Sequence, residues 1–322
     1  MTTSSAMMKK VEQYLAHKRS LGYKMDTGGF YLQTFARYAD LHAPGRPLTV
    51  DIAVRWATSS KGSSCTRHAH RLSVVRNLAR YLAVFDPRTE IPPQQLLGSS
   101  VARVTPHIYT RREIAALIRD ILTTDPSVVR NPYVGSRNAT IIGLLACTGM
   151  RIGEVLALKD RDVDLGRNVL TVRQSKNLPM RLVPVSRSAS NRLQEYRKVR
   201  DQRFGRSDDS AAFIRSREGR HLTRGAIWEA FSRSRRRVGL ENATRRNPRL
   251  QDFRHTFACN HLLRAYRKNR NIDNAVHDLS VYLGHAELAN TYWYLSAVPA
   301  LLKQCVKRSE ALGLRLRKGG RP

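Results

Sequence analysis

Acidic residues are scarce in this chain. Its 322 residues carry 25 Asp and Glu against 57 Lys and Arg, a formal net charge of +32 with a pI near 11.1. An excess of that size calls for a polyanionic partner. Long apolar runs are also missing: no stretch approaches the roughly 18 consecutive apolar residues of a spanning helix. Met1 to Ala16 is polar and charged, without the apolar segment of a signal peptide. A soluble, cytoplasmic protein with no membrane partner is expected. The four cysteines, Cys65, Cys147, Cys259 and Cys305, form no CxxC pair. Neither a zinc site nor a disulfide framework is indicated, and reduced, mostly buried thiols are expected. No carboxylate cluster has metal-ligand spacing, so neither a metal nor a cofactor is implied. Internal repeats are absent, and the only biased run is the basic one from Arg233 to Arg237.

What the chain does hold is enough apolar material for real cores, 41% of residues, and a length that suggests two domains. Residues 1–100 contain 14 basic and 6 acidic side chains, and the remainder 43 and 19. Positive charge on both parts suggests that both touch the polyanion, as a clamp around nucleic acid. A generally basic or ribosome-associated protein is the plainer alternative.

The pattern predicts a mainly α protein with one small β-sheet. In residues 1–98, apolar positions recur at helical spacing: Val11, Tyr14, Leu15 and Leu21, then Phe30 to Tyr38, then Val50 to Ala57. A longer helix from about Ser64 to Val84 places Leu72, Val75, Leu78, Leu82 and Val84 on one side, with Arg67, Arg71, Arg76 and Arg80 as a cationic opposite side. Residues 99–108 read as a linker, after Pro92 and Pro93 and ending in Pro106. A second domain, 109–322, opens with Thr110 and Glu113 in capping-box spacing and continues with a helix from about Ser136 to Cys147 that stops at Thr148-Gly149. Val169 to Arg173 and Arg181 to Val185 read as a hairpin around a polar connection. Helices return over about Ser188–Arg203, Thr223–Val238, Leu250–Arg267 and Ala275–Leu283, with a long connection from Tyr266 to Asp273.

Taken singly, Arg151, Lys176, Arg254 and His285 are ordinary polar residues. Their order is not ordinary. Ala146-Cys-Thr-Gly-Met-Arg-Ile-Gly-Glu-Val-Leu-Ala-Leu158, Leu250-Gln-Asp-Phe-Arg-His-Thr-Phe-Ala258, Tyr282-Leu-Gly-His285 and Thr291-Tyr-Trp-Tyr294 strongly resemble the catalytic domain of the tyrosine recombinases, the phage-integrase family. The resemblance covers about Tyr109 to Lys307. Residues 1–98 are similar to that family's helical core-binding domain in size and place more than in motif.

The resemblance implies a site-specific recombinase that cleaves and rejoins double-stranded DNA at a recombination site. Arg151 and Arg254 would clamp the nonbridging oxygens of one phosphate through forked hydrogen bonds. Tyr294, nine residues after His285, would attack the phosphorus and leave a 3′-phosphotyrosyl link. Lys176 in the hairpin loop would give a proton to the departing 5′-hydroxyl, and His285 would hydrogen-bond the phosphate. Glu154 is similar to the family's acidic partner that orients an arginine. A tetramer on two sites, exchanging strands through a four-way junction, is implied for integration, transposition or resolution of a mobile element.

One position departs from the family. Where it usually has His, sometimes Lys, three residues before the second Arg, this chain has Gln251. An amide donates a hydrogen bond but exchanges no proton near neutral pH. His255 does not replace it, because adjacent helical residues point about 100° apart. Tyr292 is a rival nucleophile, though the spacing from Thr291 favours Tyr294. Cys65, His68 and His70 read as a chance grouping, and the amphipathic Val298 to Gly313 packs at home or on a neighbouring protomer. Two further function classes stand beside the recombinase: a noncatalytic DNA-binding regulator that keeps the fold, and a type IB topoisomerase with related chemistry.

Overall fold

The computed structural model describes residues 6–60, 62–98, 105–124, 131–173, 180–206, 208–241, 247–284 and Thr291. Lys176, His285, Tyr292, Tyr294, Cys305 and the stretch 298–313 lie outside the described residues. The chain divides into two compact units, Met1–Val104 and Thr105–Pro322.

In the first unit, α1 (Ala6–Ser20), α2 (Asp26–His42), α3 (Val50–Thr58) and α4 (Cys65–Leu82) follow one another. Val11, Tyr14 and Leu15, Leu32 and Phe35, Trp56, and Leu72, Val75 and Leu78 close a single core, each set from one helix at helical spacing. Phe35 meets Trp56 edge to face, centroids 5.4 Å apart. Leu21 and Val84 are exposed, because α1 stops at Ser20 and α4 at Leu82, one and two residues short of them. The cationic side expected of α4 is smaller than its arginine count. Arg71 lies four and seven residues before Val75 and Leu78, on the buried stripe itself. It is buried with its guanidinium 4.2 Å from the Trp56 ring centroid. Arg76 donates to the carbonyls of Pro92 and Pro93, both at 2.7 Å. Arg67 and Arg80 remain exposed.

In the second unit, Thr110 and Glu113 form the expected capping box at the start of α5 (Arg111–Thr123), with bonds of 3.2 and 2.6 Å. The next helix, α6 (Pro132–Thr148), begins four residues earlier than expected because Pro132 occupies its first turn, where a missing N–H costs nothing. It is buried around most of its circumference, as a central helix is. The short helix α7 (Ile152–Ala157) leads to a three-stranded antiparallel sheet, β1 (Val163–Asp164), β2 (Val169–Val172) and β3 (Arg181–Pro184), in that spatial order. Leu170 pairs with Val183 and turns into the core with Val172. β1 is two residues long, too short for an alternation to reveal it in the sequence.

Three long helices, α8 (Arg187–Phe204), α9 (Arg224–Arg237) and α10 (Asp252–Arg267), precede α11 (Ile272–Leu283). The long connection expected after Tyr266 does not exist: α10 runs to Arg267, Asn269 turns at φ 53°, and the Asn271 side chain caps α11 by accepting from the Asn274 N–H at 3.1 Å. Among the described residues, no helix is long and apolar enough to cross a membrane. Of the cysteines expected to be mostly buried, Cys259 is buried while Cys65 and Cys147 are exposed.

Candidate active site

The site begins where α6 must stop. Gly149 adopts φ +63° at the helix C-cap and donates to the Leu145 carbonyl at 3.1 Å. A Cβ there would stand 2.7 Å from Phe257 Cδ1 and 3.2 Å from Leu283 Cδ2, so glycine lets α10 and α11 close on the end of α6. Gly149→Ala therefore combines left-handed strain, ~1–2 kcal/mol, with overpacking, ~1–3 kcal/mol. A loss of about 2–5 kcal/mol is expected in urea unfolding; an unchanged midpoint would show that the three helix ends are not tightly joined.

Two residues on, Arg151 stands at the N-cap of α7 in extended conformation, and Glu154 folds back onto it rather than sharing a helical face. The Glu154 carboxylate accepts from the Arg151 backbone N–H at 2.9 Å and from Arg151 Nη1 at 2.9 Å. It also takes Arg181, from the start of β3: Nη2 to Oε2 at 2.7 Å and Nη1 to Oε1 at 3.3 Å. Burial alone would push the Glu154 carboxyl up, but the two arginines outweigh it and hold the group down to about 2. It is a carboxylate at every physiological pH.

Arg254, on the first turn of α10, is 3% exposed. Its Nη1 donates to the Gly149 carbonyl at 2.9 Å and its Nη2 to the Leu283 carbonyl at 2.6 Å. One guanidinium thus joins the C-terminal ends of α6 and α11, where the helix dipoles place partial negative charge. Arg151 Nη2 reaches the next carbonyl, that of Gly284, at 3.4 Å. The two arginines, 103 residues apart in the chain, converge on the two residues that immediately precede His285.

Gln251 is exposed at the N-cap of α10 and its side chain caps nothing. It precedes Arg254 by three residues. Burial lowers the pKa of His255 to about 4, so that imidazole is neutral at pH 7 and does not supply the proton Gln251 lacks. Tyr282 stacks on Phe257 with centroids 5.4 Å apart, and burial pushes its phenol up to about 12.

Sequence reasoning overlooked two cations here. Arg181 reads as a strand residue, and only its place directly after the polar hairpin connection could have marked it. Arg224, the first residue of α9, lays its guanidinium on Gly153, where a Cβ would stand 2.2 Å from Nη2. The glycine two residues after Arg151 is the signal that something approaches closely.

Residues 118–300 match the phage integrase family. The chain is 35% identical over 308 residues to a putative integrase/recombinase, y4rB, of Sinorhizobium fredii strain NBRC 101917 / NGR234, covering 95% of this chain and 98% of that protein. It is 29% identical over 226 residues to the tyrosine recombinase XerC of Herpetosiphon aurantiacus, covering 70% of this chain and 67% of that one. Among solved structures, the Tn1549 transposon integrase in complex with transposon right end DNA superposes with a TM-score of 0.66 at 18% identity, over 95% of this chain and 98% of that chain. The chain belongs to the phage integrase family and is a tyrosine recombinase, an enzyme of site-specific DNA recombination.

Proposed function

We propose that this recombinase cuts and rejoins DNA through a 3′-phosphotyrosyl link at Tyr294, in the integration, transposition or resolution of a mobile element. Residues 1–98 serve as a helical DNA-binding domain, 99–108 as a linker and 109–322 as the catalytic domain. The observation that carries the reading is the convergence of Arg151 and Arg254 on the Leu283 and Gly284 carbonyls, directly before His285.

Two guanidiniums on one phosphate neutralise the charge that grows on its nonbridging oxygens as phosphorus becomes five-coordinate. The Tyr294 oxygen forms a bond to phosphorus and releases its proton to solvent water. The bond from phosphorus to the 5′-oxygen breaks, and Lys176 supplies the proton that lets the 5′-hydroxyl leave. His285 hydrogen-bonds the phosphate. Because the new link conserves the phosphodiester energy, a 5′-hydroxyl from another duplex can reverse the step without ATP. The +32 charge suits a protein that grips duplex DNA from two domains, and four protomers on two sites complete one exchange.

The test uses a duplex site recovered by selection from a random library with the full chain, then nicked so that cleavage traps the protein. A covalent adduct on that site, with no relaxation of unrelated supercoiled plasmid, is expected. Binding without adduct would identify a regulator, and relaxation of any plasmid a topoisomerase.

Gln251 sharpens this reading. Exposed and three residues before Arg254, it acts as a hydrogen-bond donor to the phosphate. Gln251→His should then change the single-turnover rate by less than about tenfold, whereas limiting proton transfer at this position would let histidine add roughly 10²–10⁴. Gln251→Ala is the control, since an unchanged rate there means no phosphate contact.

A further inference from the structure

We propose that Arg181 is a positioning residue for recombination: it holds the Glu154 carboxylate against Arg151, and so fixes the guanidinium that receives the phosphate. The proposal rests on the reading that Arg151 binds that phosphate.

One carboxylate here serves two arginines at once. Glu154 Oε1 accepts from Arg151 Nη1 and Arg181 Nη1, and Oε2 from the Arg151 N–H and Arg181 Nη2, at 2.7 to 3.3 Å. The Glu154 side chain is 4% exposed, that of Arg181 12% and that of Arg151 36%. The outermost member of the triad is the one that would meet DNA, and the innermost two hold it. Arg181 is itself set by the sheet, as the residue of β3 paired with Val172 of β2. Two guanidiniums and one carboxylate leave a net positive charge, which suits an anion at the exposed end.

Removal of Arg181 changes Glu154 in a defined way. Burial pushes the carboxyl up, and Arg181 is the largest influence opposing it. The other groups around the triad are Tyr282 from α11, on which Arg181, Arg254 of α10 and Cys147 of α6 all act, and Arg224 of α9 over Gly153. None of them is a carboxylate that could take over the role of Glu154. Without Arg181, the Glu154 pKa rises, and a protonated carboxyl no longer offers Arg151 a charged acceptor.

The experiment measures single-turnover adduct formation on the selected, nicked site from pH 5 to 8, with the full chain. Arg181→Met is expected to slow the reaction at pH 8 by roughly 10- to 100-fold, the scale of a misplaced reacting group, with affinity for the intact site nearly unchanged. Glu154, its carboxyl held down less, should also make that rate more sensitive to acid than the wild type's. Arg181→Lys, which keeps the charge but not the two-nitrogen fork, should recover part of the rate. Glu154→Gln should be slow at every pH, and adding Arg181→Met to it should cost nothing more. Should Arg181→Met not fold, Arg181→Gln alone and combined with Glu154→Gln makes the same comparison. A wild-type rate in the folded Arg181→Met protein, or losses that add in the double variant, overturns the proposal. Failure of the wild type to form an adduct overturns the underlying reading instead, and this proposal with it.

Discussion

Tyr294→Phe is expected to abolish the protein–DNA adduct while leaving binding to the recombination site intact. Phenylalanine keeps the ring but has no oxygen to bond to phosphorus, so the covalent route closes completely. Binding is expected to persist because the proposed phosphate ligands Arg151 and Arg254 keep their contacts to Glu154 and to the carbonyls of Gly149, Leu283 and Gly284. Denaturing gel electrophoresis with an end-labelled nicked duplex reads the adduct, and a mobility shift reads binding. An adduct that persists in Tyr294→Phe and vanishes in Tyr292→Phe would move the nucleophile two residues upstream.

Arg254→Lys should be nearly as damaging to cleavage, although it conserves the charge. The arginine donates through two nitrogens to carbonyls at the ends of two different helices, which fixes the plane of the guanidinium that, on the proposed reading, receives the phosphate. A lysine carries one nitrogen, and the forked geometry is lost. The expected slowing of single-turnover cleavage is about 10²–10³, the cost of removing a placed donor from a developing oxyanion. A second effect accompanies it. The ends of α6 and α11 lose a shared buried donor, so the urea midpoint should fall as well. A lysine variant that cleaves within tenfold of wild type would show that positive charge alone suffices at this position.

Much of the fold is legible because its signals are local. The Thr110–Glu113 box spans three residues, the stop of α6 is written in Thr148-Gly149, and the β2–β3 hairpin stands out as a change from helical to strand periodicity. Errors fall where a long-range contact overrides the local pattern, and at helix ends that periodicity alone does not locate. Arg71 looks like part of a solvated basic face, yet the Trp56 ring covers it. The stretch after Tyr266 looks like a long loop, yet an asparagine turn and an asparagine cap shorten it to four residues, Lys268 to Asn271. Leu21 and Val84 fit the apolar stripes by spacing and lie past the helix ends.

The site divides in the same way. Arg151, Glu154, Gln251 and Arg254 are recognised through family motifs, and no periodicity in the chain singles them out. That Arg254 joins two helix C-termini, or that Glu154 is shared with Arg181 across 27 residues, is invisible in one dimension, because neither contact leaves a spacing rule behind. Arg224 is missed for another reason. Its contact is with the bare backbone of Gly153, and a glycine in a short helix has several ordinary explanations.

The most direct test of the account is the chemical identity of the covalent link. Adduct trapped on the nicked site with the full chain is denatured, digested with trypsin and sequenced by mass spectrometry after the DNA is trimmed to its terminal nucleotide. The peptide that contains the nucleophile runs from Asn271 to Lys303 and holds Tyr282, Tyr292 and Tyr294, so fragmentation distinguishes the three. A nucleotide joined through its 3′-phosphate to Tyr294 is expected. A nucleotide on Tyr282 or Tyr292, a 5′-phosphate linkage, or cleaved DNA with no peptide attached would contradict it.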